Sequence, residues 1–148
     1  MELIWRGGRR RLGRGISGFT LLELLVVLLI IAVLAGYVGP KLFSQVDKAK
    51  VKAAQGQMKT LADAANQFRL DVGRFPTQQE GLDALVIKPS GANGWHGPYL
   101  SREVPMDPWG HPYVWRNPGE SHEVEIVSLG SDAKPGGAGY AADIVYGF

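Results

Sequence analysis

Gly18-Phe19-Thr20-Leu21-Leu22-Glu23, continued by LLVVLLIIAVLAGYV over residues 24–38, is the stretch from which the architecture is read. Residues 19–38 are apolar almost throughout. At a helical rise of about 1.5 Å per residue, such a run reaches about 30 Å, the depth of a bilayer's hydrocarbon core. A helix that is apolar on every side needs lipid or a large protein interior around it, and a chain of 148 residues offers little of the latter. Residues 19–38 are therefore expected to cross a membrane. Arg6, Arg9, Arg10, Arg11 and Arg14 precede the span, so the positive-inside rule keeps residues 1–18 in the cytoplasm and turns the remainder outward.

The same arginines explain the overall charge. The formal net charge is +2 and the pI about 9.0, values that ordinarily raise nucleic acid or an anionic surface as partners. Residues 1–18 alone carry a net +4, which leaves 11 basic and 13 acidic residues, or −2, for the rest. A nucleic-acid surface needs its basic residues clustered on the folded domain, so no nucleic-acid partner is expected. The chain has no Cys, which excludes a disulfide framework, a thiolate zinc site and a Cys nucleophile.

Two features of the junction call for chemistry. Gly18 lies where polar sequence meets apolar sequence, and a glycine there serves either as a hinge or as the extended backbone that a membrane-embedded protease draws into its site. Glu23 sits inside the apolar run, where a carboxylate calls for a partner. If the chain is cut after Gly18, the new amino group of Phe19 lies one helical turn from Glu23, in the same subunit or in a neighbour.

With those residues in view, Gly18-Phe19-Thr20-Leu21-Leu22-Glu23 and its apolar run resemble the class III signal of type IV pilins and type II secretion pseudopilins. The resemblance implies cleavage between Gly18 and Phe19 by a prepilin peptidase and N-methylation of Phe19. It also implies that Glu23 guides assembly by docking on a neighbouring amino terminus.

Beyond the span, Gly39-Pro40 is expected to loosen or kink the helix, which then resumes as an amphipathic segment to Gly73. Leu42, Val46, Ala49 and Ala53 form one stripe; Ala54, Met58, Leu61, Ala65, Phe68 and Val72 continue it one residue over. Lys41, Asp47, Lys48, Lys50, Lys52, Lys59 and Asp63 fall mostly on the other faces and read as a solvated surface. Residues 74–148 are expected to cover the stripe. Within them, Thr77 and Glu80 form a capping-box pattern that opens a short helix ending before Lys88-Pro89-Ser90-Gly91. Residues 113–116 and 123–129 read as two strands around the turn Asn117-Pro118-Gly119-Glu120. Trp95, Tyr99, Trp109 and Trp115 read as core packing rather than a ligand platform. The expected fold is α+β: a long N-terminal helix, half transmembrane and half amphipathic, packed on a small antiparallel β-sheet.

This order resembles the major, G-type pseudopilins of type II secretion in the type IV pilin-like family. The likeness runs through residues 74–85 (RFPTQQEGLDAL), Gly97-Pro98-Tyr99-Leu100, residues 104–110 (VPMDPWG) and Ser128-Leu129-Gly130-Ser131-Asp132. It divides the chain into a cytoplasmic leader 1–18, a transmembrane helix 19–38, its amphipathic continuation 39–73 and a periplasmic globular region 74–148.

Taken alone, Asp132 and Asp143 in the Gly-rich loop 129–144 are ordinary turn formers or two oxygen donors for a hard cation such as Ca²⁺. The resemblance implies a Ca²⁺ site there that does the work of the missing disulfide, with the carboxylates of Asp132 and Asp143 and the carbonyls of Leu129 and Lys134 as ligands. Ala142 stands where some relatives carry a further Asp. No catalytic residue is identified: His96, His111 and His122 read as surface histidines in loops, and no nucleophile elbow or phosphate loop is present.

The function implied is that of the major structural subunit of a periplasmic pseudopilus, anchored as a single-pass precursor in a bacterial inner membrane and polymerised to drive export of folded proteins across the outer membrane. Its implied partners are copies of itself, the prepilin peptidase, minor pseudopilins and an inner-membrane assembly platform, with ATP used by a separate motor. The alternatives are a type IV pilin or minor pseudopilin and, from another class, a membrane-anchored Ca²⁺-dependent periplasmic enzyme.

Overall fold

A computed structural model describes residues 18–148; the expectations for the arginine-rich leader, and for the side chain of Lys41, fall outside what it describes. The chain divides after Pro40 into two compact units. The described part of the first holds the start of helix α1, Leu21–Val72. Its apolar side chains from Leu21 to Val38 are exposed, and α1 is long and apolar enough to cross a membrane. The helix is unbroken at Pro40. Pro40, which brings no backbone donor of its own, lies inside it.

In the second unit, α1 ends at Val72 because Gly73 turns left-handed (φ 85°) and returns its N–H to the Arg69 carbonyl at 2.8 Å. Ala54, Met58, Leu61, Ala65 and Phe68 are buried, so the second stripe is covered as expected. The first is not. Leu42 and Val46 are 60% and 53% exposed, as is their neighbour Phe43 at 74%. Residues 74–148 supply core side chains only as far along the helix as Ala54.

Strands β1 (Val114–Arg116), β2 (Glu125–Ser128) and β3 (Ile144–Gly147) form an antiparallel sheet in the order β1-β2-β3. Trp115 pairs with Ile126, and Ile126 with Tyr146. Central β2 is buried at all four positions. Two bonds between Val124 and Phe148, at 3.1 and 3.2 Å, extend its pairing with the tail. The sequence reading lacks β3, whose four residues alternate too briefly to be seen without the partner strand. It also makes β2 too long at both ends: before the strand the Glu125 carboxylate takes the Ser121 N–H of a turn, and after it Leu129 already leads into the 3₁₀ turn Gly130–Asp132.

The Thr77/Glu80 box forms: the Thr77 N–H donates to Glu80 Oε2 at 2.8 Å and the Glu80 N–H to Thr77 Oγ1 at 3.2 Å. A full helix does not follow. Gly81 at φ 58° interrupts it, and only a 3₁₀ turn, Leu82–Leu85, remains. Arg74 clasps the same Glu80 through both carboxylate oxygens, at 2.6 and 2.8 Å. These donors hold the Glu80 carboxyl at about 2, the Arg74 guanidinium acting most strongly. Glu125 is likewise held at about 2, first by the Ser121 N–H and then by the Glu120 and His122 backbone.

A carboxyl with a depressed folded pKa contributes stability that is present above its unfolded value of 4.5 and lost as the pH falls toward 2. For Glu80 the contribution is on the order of 2 kcal/mol after screening at the partly exposed Arg74. Denaturant melts of the full chain in detergent are therefore expected to lose stability steeply between pH 4.5 and 2. Glu80→Gln should flatten that slope, and an equal slope in wild type and variant would refute the assignment.

Candidate functional site

Two regions carry the residues singled out by sequence. At the first, Gly18, Phe19 and Thr20 lead into α1 and are exposed. Space around Gly18 is open, with no heavy atom within 4 Å of where a Cβ would lie. Glu23 has a partner in the uncut chain. Its Oε2 accepts from the Thr20 N–H at 2.8 Å and the Thr20 hydroxyl at 3.1 Å, while its own N–H donates to Thr20 Oγ1 at 3.1 Å. This is a second capping box, Thr-x-x-Glu, at the mouth of α1. Thr20 and Glu23 carry the same spacing in the sequence as Thr77 and Glu80, and that spacing is the signal for this cap.

The second region is the loop 129–144. Leu129 leads into a 3₁₀ turn, Gly130–Asp132, and Asp132 Oδ1 accepts from the Lys134 N–H at 3.1 Å across left-handed Ala133. The loop closes on itself farther on: the Gly136 N–H donates to Asp143 Oδ2 at 3.1 Å, and the Asp143 N–H to the Gly136 carbonyl at 3.2 Å. Gly130, at φ 66°, meets the carbonyls of Tyr140 and Ala142 so closely that a Cβ would lie 2.9 Å from each. Only glycine lets the two arms of the loop meet there. Farther along, the Tyr140 hydroxyl reaches the Ser44 carbonyl on α1 at 3.4 Å.

One atom in this loop is left over. Asp143 Oδ1 is shielded from solvent and has no hydrogen-bond partner among the described residues. A carboxylate oxygen in that state is costly unless a donor, an ordered water or a cation meets it. No group of three or more His, Cys, Asp or Glu that could hold a metal occurs among the described residues. Any ion here would thus draw on two carboxylates and backbone carbonyls, a hard, all-oxygen donor set that fits Ca²⁺.

The aromatic residues divide. Trp115 is buried and donates Nε1–H to the Pro76 carbonyl at 3.1 Å. Trp95 and Tyr99 pack edge to face against each other, and Tyr99 against Phe68. Trp109 stands outside this cluster, half-buried, its indole N–H without a partner among the described residues. Of the histidines, His96 and His122 are exposed as read, but His111 is only 30% exposed and its Nδ1 lies 3.2 Å from the Gly130 carbonyl.

Sequence reasoning missed the buried acids. Asp107 accepts from the backbone N–H of Trp109 at 3.0 Å and of His111 at 2.8 Å, and from the Ser128 hydroxyl at 2.7 Å. Asp-Pro-x-Gly in the 107–110 stretch was the available signal, a turn in which the aspartate bonds the backbone two residues on. A surface groove of about 850 Å³ is lined mainly by Gln45, Lys48, Val51, Lys52, Gln55 and Tyr140, with no acid paired to a base or nucleophile.

Comparison with known proteins bears on both regions. The family described as type II secretion system (T2SS), protein G, matches residues 41–147. The prokaryotic N-terminal methylation motif matches residues 13–38. The type II secretion system core protein G of Pseudomonas aeruginosa is 42% identical over 131 residues, covering 86% of this chain and 92% of that one. That of Escherichia coli K12 is 40% identical over 123 residues, covering 80% and 84%. In three dimensions the chain is similar to the major pseudopilin from the type 2 secretion system of enterohaemorrhagic Escherichia coli, with a TM-score of 0.63 at 34% identity over 72% of this chain and 93% of that one.

Proposed function

This chain belongs to the protein G family of the type II secretion system, and from that premise we propose how its residues carry out the work of a major pseudopilin. The reading rests on α1, whose apolar side chains from Leu21 to Val38, and again at Leu42, Phe43 and Val46, stand exposed. Lipid covers the first of these groups before assembly, and other subunits cover them after it. The precursor is held in the inner membrane with its leader in the cytoplasm and residues 41–148 in the periplasm. The prepilin peptidase cuts between Gly18 and Phe19 and methylates Phe19, a step supported by the methylation motif over residues 13–38 and the open backbone at Gly18.

Copies of the mature chain then polymerise into a periplasmic fibre, together with minor pseudopilins and on an inner-membrane platform, and the growing fibre drives folded proteins outward. The subunit's role is structural. In each addition Glu23 exchanges its Thr20 contacts for the amine of a neighbour's Phe19. Calcium completes the outer region: Asp132, Asp143 and the carbonyls of Leu129 and Lys134 hold it, and its charge pins a loop that has little apolar burial of its own. Support for this reading comes from the shielded, unpartnered oxygen of Asp143.

Mass spectrometry of the chain from a membrane fraction tests the processing step. The mature protein is expected to begin at a methylated Phe19, and Gly18→Leu to leave the precursor uncut. A wild-type chain that keeps residues upstream of Phe19, or an unmethylated Phe19, overturns it.

A further inference from the structure

We propose that Ser128 and His111, held in place by Asp107, form a strut that orients the Leu129 carbonyl and thereby positions the ion-binding loop. The inference rests on the calcium reading above. Asp107 is 4% exposed and Ser128 fully buried. Both Asp107 oxygens are engaged, Oδ1 by the N–H groups of Trp109 and His111 and Oδ2 by the Ser128 hydroxyl. The carboxylate accepts only, so the Ser128 O–H must point toward it. The lone pairs of Oγ are then left to accept from the Gly130 N–H, 3.4 Å away.

That N–H shares a peptide with the Leu129 carbonyl. The peptide is planar and trans, so fixing the N–H on the Ser128 side aims the carbonyl the opposite way. The next peptide is gripped as well: with its proton on Nδ1, His111 donates to the Gly130 carbonyl at 3.2 Å. Two successive peptide planes, immediately ahead of Asp132, are thus set by the 107–111 turn. Gly130 also abuts the carbonyls of Tyr140 and Ala142, so the strut bears on the arm that ends in Asp143. The arrangement is that of an outer shell, in which groups that never touch the ion hold its ligands in the geometry it needs.

The test is Ca²⁺ titration by calorimetry, with melting in chelator, on the full chain in detergent. It compares wild type, Ser128→Ala and His111→Ala, with Glu80→Gln as a variant that weakens the fold at a site uninvolved in the loop. Loss of either strut residue is expected to weaken Ca²⁺ binding by about tenfold or more. Glu80→Gln should lower the melting temperature in chelator yet keep the wild-type affinity. Parallel losses of melting temperature with and without Ca²⁺, at unchanged affinity, would show Ser128 and His111 to be structural only and overturn the strut. His111→Ala, at a partly exposed position, carries the test if Ser128→Ala fails to fold. A wild-type chain that binds no Ca²⁺ overturns the calcium reading itself, and the strut with it.

Discussion

Glu23→Gln is expected to leave membrane insertion and cleavage intact while abolishing nearly all fibres. The choice of glutamine follows from the two partners that compete for this side chain. In the uncut chain Glu23 caps α1 with Thr20. Glutamine is also accepted at the third position of a capping box, so the helix start survives the substitution. The negative charge does not. If assembly depends on the carboxylate meeting a protonated amine away from water, the neutral isostere fails although its shape and local bonds are kept. Thr20→Ala makes the complementary variant, weakening the cap and keeping the charge, and should reduce fibres less than Glu23→Gln. Counting sheared fibres by electron microscopy, with the processed chain measured in the membrane fraction, checks both. Normal fibres from Glu23→Gln would remove the docking role and leave Glu23 a helix cap.

Sequence periodicity located α1, its amphipathic continuation and its end at Gly73, because a helix pattern repeats over many turns and its terminus needs a backbone that glycine provides. It overestimated how much of that helix the outer region covers. Spacing shows which face is apolar but not what lies against it: Leu42 and Val46 belong to a stripe with the same spacing as the packed one, displaced from it by one residue, and they remain exposed. Strand β3 was invisible for a related reason. Its four residues are defined by pairing with β2 across a long loop, and pairing is a non-local fact.

The polar part of the outer region was hardest to foresee. Glu80, Asp107 and Glu125 each bond backbone donors in turns that would otherwise have few partners. In sequence they are acids among other acids. Their roles depend on which N–H groups the folded turn leaves unpaired, which fixed spacing announces at Thr77 and Glu80 and in the Asp-Pro-x-Gly turn at Asp107, but not at Glu125. The candidate loop was half legible: Asp132 and Asp143 stood out as oxygen donors in a Gly-rich stretch. The orphaned Asp143 oxygen and the grip of His111 on Gly130 arise from how folding brings segments together, which no local pattern records.

That orphaned oxygen gives the sharpest expectation for calcium, because substitution at Asp143 should act with opposite sign in the presence and absence of the ion. Without Ca²⁺, wild type keeps a shielded carboxylate oxygen that no described group bonds. Asp143→Asn removes the charge and retains an oxygen for the Gly136 N–H, so in chelator the variant should melt at or above the wild-type temperature. With Ca²⁺ at about a hundred times its dissociation constant, a folded-state ligand adds about 2.7 kcal/mol, which for a domain of this size raises melting by about 10 °C. Wild type should show that rise and Asp143→Asn little of it, so the order of the two curves reverses on adding the ion. Asp132→Ala should also lose most of the rise but melt slightly low in chelator, since it gives up the bond to the Lys134 N–H. Calorimetric melts of the full chain in detergent, with chelator and with Ca²⁺, distinguish these outcomes. A purely structural Asp143 would lower melting in both conditions alike, and an unchanged wild-type curve on adding Ca²⁺ would mean that the loop holds itself together without an ion.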